Sequence, residues 1–153
     1  MLLLKWILLP IVFTCCESNV WNGVTPFKST IAEVEKILGE PLPESPSKHE
    51  AVYQTEKEKV WVSYTVGTCR LEPSDGRVVP EMTVSRIKVI PKVRPKLSDL
   101  NLDEQEFERV DDSGRVYFNN KKVGISVAVN SSDMGVEHIL YFPKGSIKVC
   151  TAS

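Results

Sequence analysis

Only one stretch of this chain carries a complete set of helix signals, and everything after it reads as strand and turn. That asymmetry confines the fold to a sheet with one helix to cover it. The stretch is WNGVTPFKSTIAEVEKILGEP, Trp21 to Pro41. Thr30 and Glu33 stand at capping-box spacing, in which the threonine hydroxyl accepts from an early helical N–H and the glutamate reaches back to the cap. Ile31, Val34, Ile37 and Leu38 recur at helical spacing and predict a single apolar stripe. Gly39 suits the left-handed residue that ends a helix, and Pro41 keeps the helix from resuming. A two-turn helix does not persist alone in water. Its stripe must be buried on a sheet built by the residues that follow.

At 153 residues the chain can form one ordinary domain or two very small, closely joined ones. Charged residues make up 25% and the net charge is −1, so no global field draws the chain to nucleic acid or an anionic membrane. Residues 1–18, MLLLKWILLPIVFTCCES, read as an export signal: one cation at Lys5, an apolar region from Trp6 to Phe13, and small residues near Cys15 to Ser18 for cleavage. The segment is too short to span a bilayer, which takes about 20 apolar residues. Cys15 and Cys16 are candidate lipidation sites, because a lipoprotein signal ends in a cysteine that becomes the first mature residue. Thr14 is not the usual small residue before it. Membrane contact is thus expected only through the signal or a lipid anchor, and the expected location is the periplasm, the outer envelope or the extracellular space. With the signal set aside, Cys69 and Cys150 remain, and two cysteines in an oxidising compartment predict a disulfide.

The mature chain divides at the proline-rich link PKVRP into a first half, 19–95, and a second half, 96–153. In the first, 51–55 and 60–66 form a hairpin around Glu56-Lys57-Glu58-Lys59, and Val60, Val62, Tyr64 and Val66 alternate with Trp61, Ser63 and Thr65. Residues 67–80 read as a loop with a turn at Pro73-Ser74-Asp75-Gly76, and 83–90 as a strand with an irregularity near Ser85 and Arg86. In the second half, Leu97, Leu100 and Leu102 fit either a short helical turn or an extended stretch. A hairpin follows, 116–118 with 123–130 around Asn119-Asn120-Lys121-Lys122, then a strand at 136–142 and a short edge segment at 147–150. The halves resemble each other. Tyr53 and VWVSYTV align with Tyr117 and VGISVAV, and VSRIKVIPK aligns with VEHILYFPK, which points to a duplicated unit. The expected fold is α+β: an antiparallel sheet or sheets of about six strands from two similar halves, with the capped N-terminal helix packed on a face.

Chemistry-bearing sets are sparse. The two histidines, His49 and His138, have no ligand-type neighbours at metal spacing, and no nucleophile elbow, phosphate loop or dinucleotide fingerprint occurs. No catalytic residue, metal or cofactor is expected, and an enzyme is not. Lys88, Lys92, Arg94 and Lys96 form a basic cluster around a strand end, Asp103, Glu104, Glu106 and Glu108 an acidic run, and both read most simply as solvated surface. Asn130-Ser131-Ser132 is a glycosylation sequon, relevant only in a eukaryotic source. Among the aromatics Trp21, Trp61, Tyr64, Tyr117, Tyr141 and Phe142, most belong in a core. Trp61 lies opposite Val60 and Val62, where it either meets the second half or stays exposed, and it is the candidate recognition residue.

The pattern W-x-G-V-x-P-x-x-S-T-x-x-x-V-x-x-x-L-G-x-P, Trp21 to Pro41, resembles the N-terminal signature of small uncharacterised exported bacterial proteins, and Tyr64 to Cys69, Val84 to Pro91 and Tyr117 to Val129 fit the same pattern. Ser29-Thr30, Val34 and Leu38-Gly39-x-Pro41 are more distantly similar to the helix motif of SmpA/OmlA-type domains of outer-membrane assembly lipoproteins. A tandem version of a related unit occurs in secreted β-lactamase inhibitor proteins. This chain departs from both in showing one clear helix where those units have two. The resemblance implies a non-enzymatic exported or envelope-associated binding or structural module with a protein partner. The alternative it implies is a secreted inhibitor that presents its sheet to a target enzyme.

Overall fold

A computed structural model describes residues 19–72, 77–144 and 146–151. The expected export signal, with Cys15 and Cys16, and the expected turn at 73–76 lie outside the described residues.

The helix α1 runs over Ile31–Leu38. Its capping box is formed: the Glu33 N–H donates to Thr30 Oγ1 at 3.4 Å and the Thr30 N–H donates to Glu33 Oε2 at 2.8 Å. Val34 is fully buried, with Ile31 and Leu38 packed beside it. Ile37 departs from the predicted stripe and is 44% exposed. At about 100° per residue Ile31 and Leu38 fall on one side of Val34 and Ile37 on the other, so a helix touching the sheet along one line leaves it out.

Ten strands follow: β1 (Glu50–Gln54), β2 (Glu58–Tyr64), β3 (Thr68–Glu72), β4 (Val78–Val79), β5 (Val84–Pro91), β6 (Glu108–Asp112), β7 (Arg115–Asn120), β8 (Ile125–Asn130), β9 (Val136–Tyr141) and β10 (Ser146–Thr151). They make a seven-stranded antiparallel sheet, ordered β1-β2-β5-β9-β8-β7-β6, and a three-stranded sheet, ordered β10-β3-β4. The expected six strands were too few. β6 was missed because all five of its residues are exposed, so it pairs through its backbone without an apolar alternation to reveal it. β3 and β4 are short and lie in a stretch rich in turn-forming residues.

The two halves form equivalent units around a pseudo-two-fold axis. Each is a hairpin followed by a third strand, β1-β2-β5 and β7-β8-β9, and the third strands pair with each other at the centre. There Ile87 faces Tyr141, Lys88 faces Leu140 and Val89 faces Ile139, so the axis passes between Lys88 and Leu140. The irregularities repeat as well. β5 carries an extra residue, Ser85, where Ser63 and Tyr64 pair with Arg86 and Val84, and β9 carries Glu137 where Ala128 and Val129 pair with His138 and Val136. Met82 and Met134 precede these bulges with positive φ of 63° and 54°. The N–H groups of Val84 and Val136 donate to the carbonyls of Ser29 and Pro95, both at 2.8 Å.

This symmetry corrects the register of the sequence alignment. Val60 is equivalent to Ile125, two residues beyond the Val123 that pattern alone selected, and Tyr53 is equivalent to Asn120 rather than Tyr117. The cause is the hairpin turn. Asn119 and Asn120 belong to β7, and Asn120 Oδ1 accepts from the N–H groups of Lys122 and Val123 at 3.1 and 3.2 Å. The residue at positive φ is Gly124 (74°), where a Cβ would collide with the Phe142 carbonyl. The asparagine caps the turn from the strand end, and glycine supplies the left-handed backbone.

Both cores lie on one side of the large sheet. Under α1, Trp21, Val24 and Val34 pack on Tyr53, Val60, Val62, Tyr64, Val84, Ile87 and Val89. Under 97–107, Leu97, Leu100, Leu102 and Phe107 pack on Val116, Phe118, Val127, Val129 and Val136. Of the two readings of the leucine segment, the helical turn is right at Leu97–Leu100, in 3-10 form. The Lys96 N–H donates to Asp99 Oδ2 at 2.9 Å, the counterpart of Thr30 and Glu33. A shortened helix therefore covers the second core where α1 covers the first.

Candidate functional site

The other face of the seven-stranded sheet is where side chains stand free of both cores. Residues on β2, β5 and β9 alternate, so Trp61, Ser63, Arg86, Lys88, His138 and Leu140 project away from Val60, Val62, Ile87, Val89 and Ile139. Together with Glu50 they line an open depression of about 340 Å³ at the pseudo-two-fold axis. Trp61 is half-buried and pairs across to Lys88, which pairs across to Leu140. The Lys59 Nζ lies 5.9 Å from the Trp61 ring centroid and 3.4 Å from a Glu44 carboxylate oxygen. This cation lies over the indole ring, and Lys59 is not among the residues that line the depression. Beyond β9 the side chains become small: Ala128 is fully buried between Tyr117 and His138, which flank it in register.

Electrostatics divide this face. Arg115 on β7 donates to Glu137 Oε2 at 2.6 Å, which holds the Glu137 carboxyl below its usual range. Arg86 and Lys88 form no ion pair among the described residues. Burial, then the neighbouring Lys88 and Arg115 cations, hold the His138 imidazole below its ordinary pKa, with Glu137 opposing them. His138 is therefore a neutral donor and acceptor at pH 7. A group whose native pKa is depressed and basic binds fewer protons folded than unfolded. Its contribution is unchanged above the unfolded value of about 6.5 and becomes unfavourable as pH falls below it. We expect the His138 ring resonance to titrate below the free-imidazole midpoint, and Lys88→Leu to move that midpoint upward. A midpoint unmoved by the substitution would rule out the proximity of this cation.

The remaining predicted residues are dispersed. Cys69 and Cys150 are joined in a disulfide and stand directly opposite each other in the β3–β10 pairing. Such a bond belongs to an oxidising environment. It ties the C-terminal strand to the first half, with Cys69 fully buried beside Phe27 and Val79. The basic cluster comes apart: Lys92 Nζ donates to the Glu56 carbonyl at 2.7 Å, Arg94 bonds Asp133 Oδ1 and the Gly135 carbonyl at 3.2 and 3.1 Å, and only Lys88 reaches the open face. The described part of the acidic run is exposed in the segment leading into β6. Asn130 of the sequon accepts from the Ser132 N–H at 2.9 Å in a tight local turn. His49 is half-buried, and its Nδ1 has no hydrogen-bond partner among the described residues. Tyr64 belongs to the core, where its hydroxyl meets that of Tyr53 at 3.1 Å and burial raises its pKa far above the usual phenol range. Arg86, Lys88 and His138 reach the depression beside Trp61. Sequence reasoning had placed Lys88 in a cluster along the chain and left Arg86 unassigned. Parity with Trp61 through the β2–β5 pairing was the available signal.

Among the described residues no three His, Cys, Asp or Glu side chains converge on a common point, and no helix is long and apolar enough to cross a membrane. No family model and no curated protein matches the chain. Its fold is similar to that of a solved structure, a DUF4309 family protein (YjgB) from Bacillus subtilis, with a TM-score of 0.51 over 80% of this chain and 83% of the other at 16% identity.

Proposed function

We propose that this protein is an exported, non-enzymatic binding module that holds a protein partner on the open face of its large sheet. The observation that carries this reading is the uncovered depression around Trp61, where a half-buried indole, Leu140 and two cations share one surface. Aromatic and arginine side chains are the usual anchors of protein interfaces. The disulfide accords with export, and a lipid on Cys15 or Cys16 would hold the module at an envelope. The freely secreted form, an inhibitor set against an exported enzyme, would use the same face, and intact mass of the mature chain separates the two.

A photo-crosslinking residue placed at Trp61 in cells that make the full chain is expected to yield a discrete protein adduct, and the same residue at Lys36 on the outer side of α1 is not. Equal labelling from both positions would defeat the reading. In the isolated protein Trp61→Ala should cost under about 1.5 kcal/mol, against the 3–5 kcal/mol typical of a core tryptophan such as Trp21. A loss of that larger size at Trp61 would mark it as a core residue and remove it from the interface.

A further inference from the structure

The internal duplication separates what the sheet needs from what it merely permits. On the core side the equivalent positions are apolar in both halves: Val60 and Ile125, Val62 and Val127, Tyr64 and Val129, Val84 and Val136, Ile87 and Ile139. On the open face they diverge. Trp61 corresponds to Ser126, Ser63 to Ala128, Arg86 to His138 and Lys88 to Leu140. The same backbone, with the same bulge, thus accommodates a neutral imidazole and a leucine where the first half carries two cations. Packing does not require Arg86 and Lys88 to be charged.

Nor are they neutralised by another described residue. Lys59 has Glu44, Arg94 has Asp133 and Arg115 has Glu137, whereas Arg86 and Lys88 form no ion pair among the described residues. Glu50 is the one acid lining the depression, and it sits two strands from β5 in register, beyond Ser63. Arg86 is exposed and Lys88 half-buried, so both cations are open to an anionic occupant of the depression.

We infer that the open face takes an acidic, extended segment of a protein partner, its carboxylates on Arg86 and Lys88 and its apolar atoms against Trp61 and Leu140. The inference rests on the proposed binding role and specifies the partner's chemistry. Spacing supports an extended peptide. Arg86 and Lys88 are two residues apart on one strand, about 7 Å along it, which is also the repeat of alternate side chains in an extended chain. A partner with Asp or Glu at alternate positions places one carboxylate on each cation. Bidentate geometry is available at the guanidinium.

The test uses the full chain and a fluorescent heptapeptide of alternating serine and glutamate, followed by anisotropy. Binding is expected, weaker as salt is raised, and absent for the alternating serine and lysine peptide. The double variant Arg86→His, Lys88→Leu, which carries the second half's own residues, should keep its thermal midpoint and lose at least tenfold in affinity. The variant Arg86→Gln, Lys88→Gln should do the same and guards against misfolding of the first. Failure of the acidic peptide to bind, undiminished binding by the folded variants, or preference for polygalacturonate with no peptide binding would each overturn the inference. Crosslinking from position 61 that survives both double variants would also overturn the acidic partner while leaving the binding face in place. Loss of crosslinking from the unsubstituted chain would instead remove the binding role itself.

Discussion

Serine in place of Cys150 is expected to lower the unfolding free energy by about 4 kcal/mol, because it removes the disulfide to Cys69. The cysteines are 81 residues apart, and in the chain-entropy description closing a loop of that length removes about 4–5 kcal/mol of freedom from the unfolded state. Among the described side chains, the core beside the small sheet consists of Phe27, Cys69 and Val79. Loss of the bond should therefore release β10 as well as destabilise the whole. Urea midpoints measured on Cys150→Ser and on the reduced native chain should coincide, because the same constraint is removed in each. Cys69→Ser should be worse than Cys150→Ser, since Cys69 is fully buried and Cys150 is exposed, so a hydroxyl is placed in the core. An unchanged midpoint for Cys150→Ser would show that the bridge contributes nothing to stability.

Ile87→Ala is the second large effect. Ile87 is fully buried on β5, between Val62 on β2 and Tyr141 on β9, where the two halves meet. Removing its buried methyl groups and leaving a cavity costs about 3–4 kcal/mol when neighbours on three strands cannot close in. The pseudo-two-fold axis supplies an internal control. Ile139 holds the equivalent place in the second half but is only half-buried, so Ile139→Ala should cost about half as much. Equal losses at the two sites would mean that the central pairing of β5 and β9 does not seal the first core more tightly than the second.

Much of the local structure was legible because it is written in short-range chemistry. The capping box, the glycine stop and the burial of Val34 follow from residues within one helical turn of each other, and all three occur. Alternation located β2 and β5, runs of strand-favouring residues between turns located β1, β8 and β9, and the irregularity near Ser85 was visible as a break in the pattern. What lacked a periodic signal went unseen. β6 buries no side chain, and β3 carries its reason for existing in a bond to a residue 81 positions away.

The candidate site was legible only in part. Trp61 could be assigned to the face opposite Val60 and Val62 by parity alone. Arg86 joins it only once β2 is known to pair with β5, and His138 only once β5 is known to pair with β9 of the other half. The hairpin turn was displaced by two residues for a related reason. Two asparagines are good turn residues by composition, but the residue at positive φ is Gly124, where a side chain would collide with the Phe142 carbonyl just past the end of β9.

By itself the sequence determined a capped helix over a duplicated antiparallel fold with two partnered cysteines, since caps, alternation and repetition are properties of neighbours along the chain. Tertiary structure decided that the duplicates join third strand to third strand, that both cores fall on one side, and that Trp61, Arg86, Lys88 and His138 share the other. The physical reason is that pairing order and facing are set by which buried surfaces must meet across the sheet, and no spacing along one strand carries that information.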